Sequence, residues 1–460
     1  MKTKKFAHAL ITNFNVFEEN TSKQLAEDPQ WLKNRFDEFD KLCFPSIQAQ
    51  TVKNFTWYIC FSESTPDWAR EKINVYKSLL PNLEPVFSAE NWQDRLKGSL
   101  SKDTISVITT NLDACDGLST DALETVQNHF TGQYFCFLNF DKGYQLEETQ
   151  CFEQTLENNR SYSLFQRKDN PNFARLASLD PEKISKHGPV INLNDKPYWV
   201  TPLKGGLGEG LSPGIPSSPG NLVKRFSFSS ELNQKIQYIA ETLEHVHFLE
   251  ENSDLEGALQ VLLQLNSLSF ADPFLLNETA RLQLANGDIA RSFFANTYAV
   301  AVKTNNKPAL KSLVSHLEND QFKDEVIKIL YSFLAQPNYS NLPGIELIRS
   351  LCTMASVNQN FDLDYCESLS ILFDSVYTVA VDPSNKRSLK TLASSLEESS
   401  LKEEGLRVIE LLTSNPNCSE LKGIELLRSI SSIATSNSHL VKDFCDSFCV
   451  ENPLAVASVG

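Results

Sequence analysis

The sequence predicts an α/β domain built on a mostly parallel sheet, followed by an all-α helical-repeat domain. Three observations lead there. Short β-rich runs alternate with amphipathic segments up to about residue 200, a glycine- and proline-rich stretch follows, and the remainder repeats itself with strand-free, helical spacing.

The first half reads in order as FAHALITNFN, a helix across PQWLKNRFDEFDKLCFPSI, then FTWYICF, the helix TPDWAREKINVYKSLL, ISVITTNL, the helix STDALETVQNHF, and QYFCFLNF. Such alternation of strand and helix predicts a Rossmann-like parallel sheet covered by helices on both faces. Ser64, Thr65, Ser119 and Thr120 are N-cap candidates for two of the helices, with Pro66 in the first turn of the earlier one. This domain is expected over residues 1–201. Residues 202–220, PLKGGLGEGLSPGIPSSPG, resist both helix and strand. The segment 202–225 is therefore either an inter-domain linker or a loop over a site.

From Phe226 to residue 460 the apolar spacing turns helical. LKSLVSHLENDQFKDEVIKIL at 310–330 is answered by LKTLASSLEESSLKEEGLRVI at 389–409, and GIELIRSLCTMAS at 344–356 by GIELLRSISSIAT at 423–435. Both pairs are displaced by 79 residues, as are Tyr298 and Tyr377, Pro337 and Pro416, and Cys366 and Cys445. A helix-pair repeat runs about 34 to 47 residues, so this period fits two stacked hairpins. Residues 255–292 resemble one tetratricopeptide-like hairpin leading into them. An α-solenoid is expected, with a long open surface suited to protein partners or self-association; the alternative is an appendage that only stabilises the first domain.

Composition narrows the function classes. At 460 residues, with 41% hydrophobic and 10% aromatic content, the chain is expected to fold into two or more cores. The 58 acidic against 42 basic side chains give a formal charge of -16, which disfavours nucleic acid and anionic lipid as partners. No run approaches the roughly 18 apolar residues of a transmembrane segment. The basic MKTKK start precedes an apolar run too short for a signal peptide. Ten cysteines without a CxxC pair, several inside apolar runs (Cys60, Cys136, Cys352), fit reduced core thiols and a cytoplasmic protein.

One stretch raises a chemical question. VITTNLDACDGLS, residues 107–119, begins as a buried strand and ends with Asp113 and Asp116 in a turn. In an open α/β sheet, ligands bind beyond the carboxyl ends of the strands. Two carboxylates about 4 Å apart repel by roughly 1 to 4 kcal/mol, and a hard divalent cation relieves the repulsion while leaving positions for substrate phosphates. Gly117 would permit close backbone approach. Alternatively, the two acids shape an Asx turn and cap the helix that begins near Ser119.

Five blocks, HALITNFNVF, WLKNRFDEFDKLCFPSIQAQTVKNFTWYICFSESTP, ITTNLDACDGL, NFDKGYQL and KPYWVTPLKG, resemble in order and spacing a rhamnosyltransferase family of bacterial glycosyltransferases with a GT-A type fold. The resemblance covers about residues 6–205, and CFPSIQAQTVKNFTWYICFSESTP is its most specific part. It implies a nucleotide-sugar donor, a divalent metal (Mn or Mg) and transfer to a hydroxyl of a glycan acceptor. Carried over residue by residue, it puts Thr12, Asn13, Phe14 and Asn15 at the nucleotide, Ser62 and Glu63 beside the base or ribose, Asn111 and Lys204 on the donor, and Asp113 and Asp116 at the metal.

Three of the blocks depart from the pattern: Asn13 stands where arginine is expected, Ala114 and Cys115 where Asn and Asp are expected between the outer acids, and Lys204 where a histidine is expected nearby. A thiol is a poor magnesium ligand, and a protonated lysine binds no metal. Lys204 and Arg225 are the candidates to restore positive charge. The departures leave open a catalytically inactive domain of the same fold that acts as a binding or scaffold module. The catalytic residues are unknown from sequence; Asp141 and Asp169 are both candidate bases by position after strands. His245 and His247, two apart on a helix, point to different sides and are expected at the surface. Cys445 and Cys449 are expected as core thiols, GGLGEG at 205–210 lacks the strand and helix of a phosphate loop, and no GxSxG occurs.

Overall fold

The computed structural model describes residues 6–16, 28–87, 92–156, 161–169, 184–202, 214–268, 272–318, 323–340, 342–356, 363–397, 401–414, 421–437 and 440–451. Two compact units emerge. One joins Met1–Glu209 with Asn221–Ile236, and the other joins Gly210–Gly220 with Gln237–Val459.

The first unit is built on seven strands: β1 (Phe6–Asn13), β2 (Thr56–Cys60), β3 (Leu83–Val86), β4 (Ser106–Asn111), β6 (Phe135–Phe140), β9 (Ser163–Arg167) and β10 (Val190–Leu193). They lie in the order β10-β6-β9-β4-β1-β2-β3. All pairs are parallel except those of β9, which runs against both β4 and β6. This is the mostly parallel sheet that the alternation of strand and helix predicts. Alternate side chains go to opposite faces. Leu10, Trp57, Ile59 and Ile108 enter one core, while Ala9, Ile11, Tyr58, Cys60 and Val107 enter the other. The covering helices are α1 (Pro29–Glu38), α2 (Phe44–Gln48), α3 (Asp67–Leu79), α4 (Trp92–Ser99), α5 (Ala122–His129) and the short α6 (Ile184–His187).

A second sheet was not foreseen from the sequence. In it β8 (Gln150–Thr155), β7 (Lys142–Glu147), β11 (Trp199–Pro202) and the two-residue β5 (Gly117–Leu118) lie side by side. β7 and β8 form a hairpin whose turn holds Glu148 at φ +53. Gly143 of β7 lies under the Trp199 indole, where a Cβ would collide with the ring.

The caps also differ in detail from expectation. Pro66 itself stands at the cap of α3, and Thr65 turns its hydroxyl back to the Ser62 carbonyl at 2.7 Å. Asp121 stands at the N-cap position of α5 without a side-chain bond into the helix, and accepts a hydrogen bond from Ser119 Oγ at 2.8 Å.

Beyond the short β12 (Ile215–Ser217) and α7 (Gly220–Val223), the described elements are helical: α8 (Ser230–Glu251), α9 (Leu255–Leu268), α10 (Pro273–Ala285), α11 (Ile289–Val302), α12 (Lys307–Glu318), α13 (Lys323–Leu334), α14 (Ile345–Ser356), α15 (Leu363–Val381), α16 (Lys386–Glu397), α17 (Lys402–Ser414), α18 (Ile424–Asn437) and α19 (Leu440–Glu451). The starts of α12, α13 and α14 recur 79 residues later in α16, α17 and α18. One continuous core runs from Phe293 to Cys445. Each helix buries its apolar stripe on its neighbours, the packing by which helical repeats are stabilised. Among the described residues, no helix is long and apolar enough to cross a membrane.

Candidate functional site

Because β1, β2, β4, β6 and β10 run parallel, their carboxyl ends share one edge of the sheet. Register fixes the neighbours there: Asn13 pairs with Cys60, and Ile11 with Asn111. The loops that leave this edge carry Asn13–Asn15, Ser62–Glu63, Leu112–Asp116 and Asp141.

The four residues expected at the nucleotide divide into one that faces solvent and three that do not. Thr12 is buried and accepts a hydrogen bond from Trp57 Nε1 at 3.0 Å. Phe14 is a core side chain, 4.4 Å from the Phe36 ring and 5.0 Å from that of Phe61. Asn15, also buried, ties two loops together: its Oδ1 accepts from the Ser62 amide at 2.9 Å and its Nδ2 donates to Thr65 Oγ1 at 3.3 Å. Asn13 is exposed. Ser62 and Asn111 are half-buried and Glu63 is exposed, so these side chains, with Asn13, form the accessible rim. Lys204 lies outside the described residues, as does the GGLGEG segment.

At the centre stands a residue that sequence reasoning passed over. Arg35 reaches from α1 and donates from Nε to the Phe14 carbonyl at 2.5 Å and from Nη2 to that of Asn13 at 3.3 Å. The same Nη2 lies 3.3 Å from each oxygen of Asp113, and Nη1 donates to Cys115 Sγ at 3.5 Å. Only 12% of the Arg35 side chain and 28% of the Asp113 side chain remain exposed. Burial works against the guanidinium charge, but Asp113, joined by Cys115 and Asp116, raises the pKa above its ordinary value and keeps Arg35 protonated. In the sequence Arg35 resembles any solvated charge of an amphipathic helix. Its signal was position: it lies between Leu32 and Phe36, which both face the core, and stacks over Trp31 at 5.3 Å.

Asp113 makes the Asx turn that was one of its two readings, accepting from the Cys115 amide at 2.9 Å. Asp116 is fully buried, and its amide donates to the Asp113 carbonyl at 3.2 Å. A π-helical turn, Phe39–Cys43, bends the chain between α1 and α2 and brings Cys43 Sγ within 3.6 Å of the Asp113 carbonyl. Burial, then Asp116 and Asp113, push the Cys43 thiol well up. Burial likewise raises Cys115, against the pull of Arg35. Both thiols are therefore neutral near pH 7, whereas metal ligation needs the thiolate.

The CFPSIQAQ block braces this loop from below. Ser46 Oγ accepts from the Leu118 amide at 3.1 Å, and Gln50 donates to the Ser119 carbonyl at 2.7 Å and accepts from the Leu123 amide at 3.0 Å. Gly117 is squeezed by the protein itself: an added Cβ would lie 2.9 Å from Val200 and 3.2 Å from the Leu42 carbonyl. Its close approach is to β11 and the π-helical turn.

These observations test the expected divalent ion. Asp113 directs both oxygens at a guanidinium, Asp116 is buried, and the neighbouring thiols are neutral. Among the described residues, no group of three or more His, Cys, Asp or Glu side chains is arranged to hold a metal. As arranged, Asp113 and Asp116 do not fit a divalent metal held between them.

The two candidate bases separate. Asp141 follows β6 at the same edge as the acidic turn, is largely buried, and accepts from Asn139 Nδ2 at 2.7 Å. Asp169 follows the reversed strand β9, so it sits at the opposite edge, exposed and paired with Arg167 at 3.2 Å. Arg225 is engaged with Asp121 at 3.3 Å and the Pro197 carbonyl at 3.2 Å, away from the acidic turn. His245 and His247 are exposed, and Cys445 is a core thiol; the Cys449 side chain lies outside the described residues.

Residues 6–206 match the family model described as "Putative rhamnosyl transferase". The N-terminal half is thus similar to a glycosyltransferase family. Among solved structures, residues 1–349 of S. aureus TarS in complex with UDP-GlcNAc align at 12% identity over 81% of this chain and 91% of that one, with a TM-score of 0.28. The longer S. aureus TarS structure aligns at 11% identity over 79% and 54%, with a TM-score of 0.27. No curated protein matches the chain.

Proposed function

We propose, from the premise that residues 6–206 match a rhamnosyl transferase family, that this chain moves a sugar from a nucleotide-activated donor to a hydroxyl of a glycan acceptor. Rhamnose is the sugar the family description favours. The carrying observation is the convergence of Asn13, Ser62, Asn111, Asp113 and Asp141 on one edge, outside the carboxyl ends of parallel strands. In the transfer, the bond from the anomeric carbon to the diphosphate oxygen breaks and one to the acceptor oxygen forms. The acceptor's proton passes to a base, and Asp141 is our candidate for it. Asn13, Ser62 and Glu63 would contact the nucleotide. No step is routed through a metal, because the acidic turn does not fit one.

The reading is tested by thermal stabilisation with a panel of nucleoside-diphosphate sugars, followed by transfer of labelled sugar from whichever donor binds. A bound donor raises the melting temperature by mass action. Asp141→Asn is expected to keep donor binding and lower turnover by about 10²-fold or more. If no donor binds the intact chain with or without metal, the transferase reading is wrong.

A second reading is favoured by one observation: Arg35 and Asp113 are engaged with each other. Under it the domain binds a ligand without transferring a sugar, and the helical repeats recruit a protein partner or a second copy. Donor binding without detectable transfer, together with self-association of the intact chain in sedimentation, would decide for it.

A further inference from the structure

We infer that the acidic turn is closed by the chain's own cation: Arg35 is the counter-ion of Asp113, and Mn²⁺ and Mg²⁺ do not bind there. Two acids at a strand end need positive charge, and here a guanidinium supplies it. Both Asp113 oxygens lie 3.3 Å from Arg35 Nη2, and one of them also accepts from the Cys115 amide at 2.9 Å. A divalent ion bound to either oxygen at about 2.0 to 2.6 Å would sit against that guanidinium, cation to cation.

Nor is Arg35 easily displaced. It satisfies the carbonyls of Asn13 and Phe14 at the end of β1, so swinging it aside strands both acceptors. The two remaining donors are poor: Asp116 has no exposed surface, and Cys115 is 2% exposed. Arg35 is accordingly a positioning residue that joins the end of β1 to the acidic turn. This inference is independent of the transferase reading, which the donor panel tests separately.

Titration of the intact chain with Mn²⁺, followed by the electron paramagnetic resonance signal of the free ion, distinguishes a closed turn from a metal site. The wild type is expected to leave Mn²⁺ free at this turn. Arg35→Met removes the cation, re-exposes the repulsion and is expected to tighten Mn²⁺ binding by roughly tenfold or more, an effect reversed by adding Asp113→Asn. Arg35→Lys keeps the charge and is expected to exclude Mn²⁺ as the wild type does, so it controls for a variant that folds poorly. A wild-type site for about one Mn²⁺ per chain that Asp113→Asn abolishes would overturn the inference. So would a folded Arg35→Met protein that gains no Mn²⁺ affinity.

Discussion

Removing the Arg35 guanidinium leaves Asp113 without its cation and two backbone carbonyls without a donor. Breaking a fully buried pair costs about 3 to 5 kcal/mol, and because Asp113 keeps part of its side chain in water, Arg35→Met is expected to cost about 2 to 4 kcal/mol. Asp113→Asn should cost less. In a double-mutant cycle followed by urea unfolding, the two changes should couple by about 1 kcal/mol or more. Additive losses would show that the two side chains do not share one interaction. Asp272 gives a residue-scale prediction in the helical unit. It caps α10 by accepting from the Phe274 amide at 2.9 Å, while its second oxygen is buried with no partner among the described residues. Burial, opposed by the backbone amides of Phe274 and Leu275, raises its pKa to about 6. The folded state therefore keeps a proton that the unfolded state has released at lower pH, and stability from this group falls as pH rises from about 4 to about 6. Asp272→Asn keeps the acceptor without the charge. It should be more stable than wild type above pH 6, by about 1 to 3 kcal/mol, and equal to it near pH 4; urea midpoints that differ by the same amount at both pH values would contradict this.

The repeat has a physical reason for its glycines. Gly344 donates to the Ala301 carbonyl at 2.7 Å, and its counterpart Gly423 donates to that of Ala380 at 2.8 Å. At each, an added Cβ would run into a backbone carbonyl oxygen, of Val300 in one case and Val379 in the other. Backbone cannot give way as a flexible side chain does. Gly344→Ala and Gly423→Ala are each expected to lower stability by about 1 to 3 kcal/mol, and the double variant by nearly the sum, since the sites share no partner. A thermal denaturation series read by circular dichroism checks this. Four strands of the main sheet, β1, β2, β4 and β6, and the helices α1, α2, α3 and α5 between them were legible because Val, Ile and aromatic runs alternate with amphipathic ones. The hairpin β7–β8 was not: Lys142–Glu147 and Gln150–Thr155 are rich in polar side chains, and only their burial in a second sheet makes them strands.

At the scale of the molecule, the two units carry different reporters. All five tryptophans, Trp31, Trp57, Trp68, Trp92 and Trp199, belong to the first unit, whereas most of the helix lies in the second. Tryptophan fluorescence and far-ultraviolet circular dichroism therefore report different cores. Unfolding curves from the two probes are expected not to coincide, and a bound nucleotide sugar should shift the fluorescence transition more than the dichroism one. Coincident curves that move together with ligand would mean a single cooperative unit.

What the sequence determined by itself was periodicity and local composition: the alternation that builds a parallel sheet, the 79-residue displacement that returns in the helix starts, and the acidic turn at the end of a strand. These depend on neighbours a few residues apart or on self-similarity, and both are visible in one dimension. Tertiary structure alone decided which side chains meet at that edge. It carried Arg35 across 78 residues to Asp113, turned Thr12 and Phe14 into the core, and sent Asp141 and Asp169 to opposite edges by reversing a single strand. Charge complementarity and strand direction act through space, and no local pattern encodes them.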